Sequence, residues 1–314
     1  MPVTINGSDG ITNASWTTGT RPSNPAAGQM GYNADISNFE IYNGSDWVNI
    51  TDIANNIANN IVDNKLSKLL VQVPGAAAAY SLRRLTLANT AVVRVRKDSD
   101  NTEQDFRSEE IEDGSLETFC GSSDGLVTTW YDQSGNGNDA TQTTASDQPK
   151  IVSAGVLVTE NGRPAIDFTN TKRLLLSDAL NTSTFNTMFE VFKTRKMANP
   201  INNDLRNGHY LIEDGLNDTR GTFLPLETNS SMFINNEEQL NPTNNDIFDN
   251  SSSSGLTIIT SIGIDFTAQA GGQIGHTRSD RSAANVSEII VYTTDQSSNR
   301  ESIETNINNY YGVF

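Results

Sequence analysis

From about residue 90 onward the chain alternates apolar and polar positions in short runs. They read "AVVRVRK", "GLVTTWYD", "KIVSAGVLV", "PAIDF", "FEVFKT", "GLTIITSIGIDF" and "VSEIIVYTT", separated by stretches rich in Gly, Asn, Asp and Ser. A period of two sends alternate side chains to opposite faces, so these runs predict short strands. Two segments change period. In residues 51–72, "TDIANNIANNIVDNKLSKLLVQ", Ile53, Ile57 and Ile61 recur at helical spacing, followed by Leu66, Leu69 and Leu70; Thr51 or Asp52 suits the N-cap. In the last segment, "SSNRESIETNINNYYGVF", Ile303, Ile307 and Tyr310 line one face of a helix capped by Ser297 or Ser298. Pro74-Gly75 breaks the first helix, and "AAAAYSLRRL", residues 76–85, predicts another short one. Residues 1–50 are punctuated by Asn6-Gly7, Asp9-Gly10, Pro22, Pro25, Gly28 and Asn43-Gly44. They predict a small strand meander whose apolar payload is Tyr32, Phe39, Ile41, Tyr42 and Trp47.

The expected fold is mainly β. A β-sandwich or jelly roll occupies residues 76–314, preceded by a helical neck at 51–75 and a small β unit at 1–50. Fifty residues rarely hold a core alone, so the first unit is expected to dock on a partner or self-associate. The neck is either an amphipathic helix lying on its own domain or a short coiled coil. In the second case Ile53, Ile57, Ile61 and Leu66 form the seam, and Asn60 and Asn64 set its register.

Composition narrows the function classes. Of 314 residues, 38 are Asp or Glu against 21 Lys or Arg, a net charge of −17, which repels phosphate backbones and argues against nucleic-acid partners. The N-terminus lacks a basic stretch followed by an apolar core, and no apolar run approaches the roughly 20 residues of a membrane span. Synthesis in a cytoplasm without membrane insertion is therefore expected. One cysteine, Cys120, excludes an internal disulfide framework and a Cys-rich zinc site.

The densest chemistry lies in residues 128–142, "TTWYDQSGNGNDATQ". Asp132, Asn136, Asn138 and Asp139 could ligate Ca²⁺ through hard oxygens, but a compact turn is the stronger reading, with Gly135 and Gly137 supplying positive φ. Of Trp130 and Tyr131, strand alternation sends at least one inward, and the other is as readily core or surface as a residue that stacks on a sugar. The run Asp98, Asp100, Asn101, Glu103 and Asp105 reads as a solvated loop, with a metal site as the minority reading. Residues 230–255 read as a long polar segment, either a linker-like surface loop or a variable recognition loop. His276, Arg278, Asp280 and Arg281 sit in another loop as candidates for a ligand rim.

Two resemblances sharpen this. The segment from Tyr80 to Gln142, with its core Tyr-Asp-Gln-Ser-Gly-Asn-Gly-Asn, resembles the start of the catalytic domain of α-L-arabinofuranosidase B, and implies a concanavalin A-like β-sandwich. The closing "VSEIIVYTTDQSSNRESIETNINNYYG" is similar to the last strand and helix of laminin G-like modules. Separately, "RPSNPAAGQMGYNADISNFEIYNGSDWVNI" resembles segments of bacteriophage tail and fibre proteins. That resemblance implies a virion structural protein: a tail fibre, capsid appendage or decoration, made in the host cytoplasm and carried on the particle. It would be trimeric, partnered by other virion proteins, and would expose a lectin-like domain toward host-surface glycans.

The first resemblance also implies an alternative, an arabinofuranosidase-type glycoside hydrolase, which needs two carboxylates. The position matching the family's nucleophile is Glu227, in a poorly matching context, and that matching its acid/base is Thr277, which cannot protonate a leaving group. Cys120 matches a family cysteine whose partner position holds Gly125. The expectation is a retained fold with lost chemistry and no catalytic residue. The ligand rim would then comprise Trp130, Tyr131, Glu227, His276, Arg278 and Asp280, with no cofactor unless Ca²⁺ is bound. A purely architectural module is a third alternative.

Overall fold

The computed structural model describes residues 5–6, 10–11, 14–55, 67–169, 172–177, 180, 184–194, 231–239, 255–267, 273–275 and 284–314. The chain divides into two compact units, Met1–Ser67 and Lys68–Phe314.

In the first unit, β1 (Ser15–Trp16) lies parallel to β2 (Met30–Asn33), which continues antiparallel through β3 (Asn38–Tyr42) and β4 (Trp47–Asn49). Its centre is a polar knot under one ring rather than the expected aromatic payload. Trp16 is buried and stacks edge-on against Trp47 at 4.8 Å. Its indole N–H donates to Glu40 Oε2 at 3.1 Å, and Asn33 Nδ2 donates to the same oxygen at 2.9 Å. Arg21 closes a two-pronged ion pair on that carboxylate. Gly31 is required here, because a Cβ would lie 2.2 Å from the Trp16 ring. Residues 50–55 are helical and Ile53 is half-buried, but Thr51 and Asp52 lie inside the helix and Asn49 caps it, its Oδ1 accepting the Asp52 N–H at 2.7 Å; Ile57, Ile61 and Leu66 lie outside the described residues.

The second unit is a β-sandwich, as the strand pattern predicts. Helix α1 (Leu69–Gln72) precedes β5 (Ala78–Ser81), β6 (Val93–Lys97) and β7 (Glu103–Phe106). Two short helices follow, α2 (Ser108–Glu112) and α3 (Ser115–Cys120), then β8 (Gly125–Trp130), β9 (Lys150–Ser153) and β10 (Ile166–Asp167). The long strands β11 (Thr184–Thr194), β13 (Thr257–Thr267) and β14 (Ala284–Tyr292), with β12 (Ser231–Ile234), make one antiparallel layer in the order β12-β13-β11-β14. The free edge of β14 pairs with β5 along one half and β10 along the other; from β10 the sheet runs on through β9, β8, β6 and β7. Helix α4 (Arg300–Tyr311) closes the chain.

Strand alternation divides the apolar residues of the long strands between two cores. Met188, Phe192, Ile259, Ile289 and Val291 face inward with Tyr80, Val95, Phe106, Val127 and Trp130. Phe189, Val191, Ile258, Ile290 and Tyr292 face outward beneath α4, meeting Ile303, Ile307 and Tyr311. Leu69 and Val73 also belong to this second core.

Three expectations are corrected. The helix expected at residues 76–85 is instead β5. Ala78 and Tyr80 fill one core and Ala79 the other, and pairing with β14 outweighs the helix propensity of an alanine run. The polar stretch 230–255 contains a hairpin: Ser231–Ile234 pairs with Glu237–Gln239 around Asn235 and Asn236, at φ 50° and 70°, the backbone a two-residue turn between twisted strands demands. The cap of α4 is Asn299, and neither Ser297 nor Ser298 serves; the Asp295 carboxylate accepts the Ser297 N–H at 2.8 Å, in a turn ahead of the helix. Ile303 and Ile307 line the buried face as expected, Tyr310 packs partly buried against the same core, and Tyr311 is buried in it.

Candidate functional site

The Gly/Asx stretch after β8 forms the expected compact turn, and its polar groups bind strand β5. Asp132 Oδ1 accepts the N–H groups of Ala79 and Ser134, both at 2.8 Å; Oδ2 accepts Ser134 Oγ at 2.7 Å and the Asn138 N–H at 3.0 Å. Gln133 reads the chain beyond β5: its Oε1 accepts the Leu85 N–H at 2.8 Å, and its Nε2 donates to the carbonyls of Ser81 and Arg83. Asn136 and Asn138 donate to the Ala76 and Ala77 carbonyls. The buried Tyr80 hydroxyl donates to the Asn138 carbonyl at 2.5 Å. Burial, with the charges of Asp132 and Asp139, holds that phenol well above its ordinary pKa. Gly135 and Gly137 take φ 91° and 74°. The turn is a hydrogen-bonded staple between β5 and β8. Among the described residues no group of three or more His, Cys, Asp or Glu is placed to hold a metal ion.

The neighbouring pair divides. Trp130 is fully buried, 5.8 Å from the Tyr80 ring, so its place on a ligand rim is corrected: it belongs to the inner core, with its indole N–H unpartnered. Tyr131 is half-buried, and its hydroxyl donates to Asp105 Oδ1 at 2.8 Å. Arg94 anchors the same patch, donating from Nε to Glu103 at 2.8 Å and from Nη1 to Asp105 at 3.2 Å. The expected acidic loop is thus the turn and second strand of a β6–β7 hairpin, with Glu103 and Asp105 paired to Arg94, Asp98 to Arg96 and Asp100 to Lys97. A tyrosine body beside fixed carboxylate and guanidinium groups suits a sugar, which offers both an apolar face and hydroxyl groups.

Among the carboxyls, Glu190 on β11 stands apart. It is 4 % exposed, opposite Ile259 and Ile289 in the neighbouring strands, and flanked along its own strand by Met188 and Phe192 of the inner core. Burial alone pushes its pKa up to about 8. Diagonally across, Ser261 carries a buried hydroxyl without a partner. Burial among apolar side chains thus favours the protonated form of Glu190. No motif marked it; only the register of β11 reveals that a glutamate falls on the core face.

Cys120 is buried, and burial pushes its thiol up to about 11, an unreactive state. A Cβ placed on Gly125 would lie 2.7 Å from its Sγ. The remaining rim candidates, Glu227, His276, Arg278 and Asp280, lie outside the described residues, as do Thr277 and Arg281.

No protein-family model and no curated protein matches the chain. Solved structures do. A mutant GH54 α-L-arabinofuranosidase soaked with 4-nitrophenyl α-L-arabinofuranoside aligns at 15% identity and TM-score 0.46, covering 74% of this chain and 62% of that one. A GH54 α-L-arabinofuranosidase soaked with a cyclic sulfate inhibitor aligns at 14% identity and TM-score 0.44, with the same coverage. An arabinofuranosidase complexed with arabinofuranosyl-α-1,2-xylobiose aligns at 17% identity and TM-score 0.44, also with the same coverage. The chain thus spans 62% of the length of each structure it matches. The likeness is one of fold. It corrects the expectation of a chain without enzymatic chemistry: the matched structures are glycoside hydrolases, and both positions used to argue for lost catalysis, Glu227 and Thr277, lie outside the described residues.

Proposed function

We propose that the second unit is a carbohydrate-active β-sandwich of the glycoside hydrolase type, with α-L-arabinofuranosides as the first substrates to test. The observation that carries this reading is the Tyr80–Gln142 segment. Its resemblance to arabinofuranosidase B lies in residues such as Tyr80, Asp132, Gln133, Asn136 and Asn138, each of which has a bonded position in the sandwich. Fold alone does not specify a reaction, so hydrolysis has to be measured directly. The expected result is release of nitrophenol from 4-nitrophenyl α-L-arabinofuranoside, lost in Glu227→Gln. No release from that substrate or from a panel of other nitrophenyl glycosides would refute the hydrolase reading. Tyr131 is the proposed sugar-contact residue: Tyr131→Ala should weaken glycan binding by about 1–2 kcal/mol, roughly five- to thirtyfold, while leaving the melting temperature nearly unchanged.

A second reading concerns the first unit. Residues 21–50, which resemble phage tail and fibre segments, fold within their own compact unit. This favours an attachment role in a virion for Met1–Ser67, alongside a glycan-directed second unit. Self-association, trimeric by the neck reading, is part of that proposal. Mass measurement of the full chain in solution tests it, and a strict monomer at micromolar concentration would count against it.

A further inference from the structure

A polar row crosses three strands of the second unit. Lys193 on β11 stands directly opposite Asn285 on β14, and Asn285 stands opposite Asp167 on β10. Opposed residues of an antiparallel ladder share a face, with Cβ atoms about 4.5–5.5 Å apart. Their neighbours Phe192, Val286 and Ile166 belong to the inner core, so alternation turns the row to the other face. Glu160 bridges two of its members. Its Oε1 accepts the Asn285 Nδ2–H at 2.7 Å, and its Oε2 accepts the Lys193 ammonium at 3.0 Å. A tight hairpin holds this carboxylate: Glu160 pairs with Arg163 around Asn161 and Gly162, at φ 48° and 72°. The hairpin is pinned to the end of α4, where Asn161 donates to the Tyr311 and Gly312 carbonyls and Arg163 to the Tyr310 carbonyl. Asn285 is fully buried, and among the described residues its Oδ1 has no hydrogen-bond partner. Turning the amide over would aim that oxygen at the carboxylate, so Glu160 fixes which way it faces. A buried oxygen left without a donor is costly, and it asks for a reason.

We propose that Lys193 and Asn285 form an intramolecular isopeptide bond, with Glu160 moving the protons. The three groups are those an amide transfer needs: an amine, an amide carbon, and one carboxylate bonded to both the attacking and the leaving nitrogen. Transfer of a proton from the Lys193 ammonium to Glu160 Oε2 leaves a neutral amine, the nucleophilic form. Its lone pair attacks Cγ of Asn285; the Nζ–Cγ bond forms and the carbonyl electrons move onto Oδ1. Nζ then gives up a second proton, which reaches Nδ2 by way of Glu160. The Cγ–Nδ2 bond breaks, ammonia leaves, and the carbonyl re-forms. Glu160 returns its remaining proton to the ammonia, so one lysine ammonium and one amide become one new amide and one ammonium ion. No oxidant, metal or outside reactant enters, and both reacting groups are held in place by the fold, which removes the entropic cost of an encounter. The bond ties β11 to β14 and closes residues 193–285 into a covalent loop. It is independent of whether the second unit cleaves glycans.

The test is intact-mass measurement of the full chain under denaturing conditions, followed by tryptic digestion. A mass lower than that of the sequence by one ammonia is expected, with a branched peptide joining Lys193 to Asn285. Lys193→Arg keeps a cation for Glu160 but offers no amine that can be acylated, and it should keep the full mass. Glu160→Gln should slow the mass loss by about a hundredfold or more. Loss of a cross-link that closes so long a loop should lower the melting temperature of Lys193→Arg by roughly 10 °C. If the unsubstituted chain stays at full mass after prolonged incubation at neutral pH, with Lys193 and Asn285 in separate peptides, the proposal is overturned whatever the variants do. Ammonia loss that persists in Lys193→Arg, the mark of an asparagine cyclising on its own backbone, would overturn it equally.

Discussion

Trp130 and Tyr131 are adjacent in sequence and opposite in fate. The first is sealed against Tyr80 in the inner core, and the second is tied to Asp105 at the surface. Alternation foretold that they would separate but could not say which would turn inward, because that depends on the register of β8 against β6. Glu190 shows the same dependence in a costlier form. Its carboxyl is raised to about 8 in the folded chain and titrates near 4.5 when unfolded. Between these values the folded state holds a proton that the unfolded state has released. Its contribution is therefore intact below about pH 4.5, is lost as pH rises toward 8, and changes no further above that, at about 1.4 kcal/mol for each pH unit. Denaturant unfolding across pH 5–8 should show this decline, and Glu190→Gln should flatten it. An unchanged slope in the variant would show that Glu190 is not protonated in the folded chain. Cys120 offers a second residue-scale test. Its sulfur lies 2.7 Å from where a Gly125 side chain would begin, so Gly125→Cys should form a disulfide with it. Closing so short a loop should add about 2 kcal/mol of stability. Thiol counting and non-reducing mass measurement decide whether the bond forms, and Val95 and Val152, both close to that added atom, are the side chains that have to yield.

At the scale of elements, the alternating runs from residue 90 onward were legible as strands, because a half-buried strand leaves its period in the sequence. The failures were elements whose identity is set by their neighbours. Residues 76–79 are an alanine run of high helix propensity, yet both faces of β5 are buried between two cores, so pairing with β14 decides. The hairpin at 231–239 turns on two asparagines, residues that accept positive φ and serve equally well in loops. The C-terminal helix was legible by its Ile303 and Ile307 spacing, but its anchor was not. Arg83, from the segment after β5, reaches across to Glu288 on β14 and to Asn306 on α4, while the Tyr311 hydroxyl donates to the Ser287 carbonyl at 3.1 Å. The charged partners are 205 positions apart in sequence. Arg83→Ala would leave Glu288 buried without a counter-charge and should cost about 3–5 kcal/mol in chemical denaturation. Glu288→Gln in the same background should recover part of that loss, the signature of a coupled pair.

For the whole molecule, the division into Met1–Ser67 and Lys68–Phe314 makes two acid responses expected. Glu40, at the heart of the first unit, has its pKa lowered chiefly by the hydrogen bond from Arg21, against the opposing effect of burial. Its stabilising contribution is present above about pH 4.5 and is lost as pH falls through the lower folded value. Glu190 pulls the other way in the second unit, which therefore gains stability over the range approaching that point. Acidification followed by Trp16 and Trp47 fluorescence, in a chain with Trp130→Phe, should show the first unit losing structure before the second. Glu40→Gln should move that first loss to neutral pH. Simultaneous loss in both units would show that they unfold as one.

The sequence by itself determined the β class, the turn after β8, the C-terminal helix and the acidic balance, because periodicity, positive-φ residues and charge are local properties. Tertiary structure decided which of Trp130 and Tyr131 is core, that an alanine run becomes a strand, and that Glu190 is enclosed among apolar side chains. Each of these depends on which strands meet and in what register, and that is a free-energy minimum of the whole unit rather than a property of any segment.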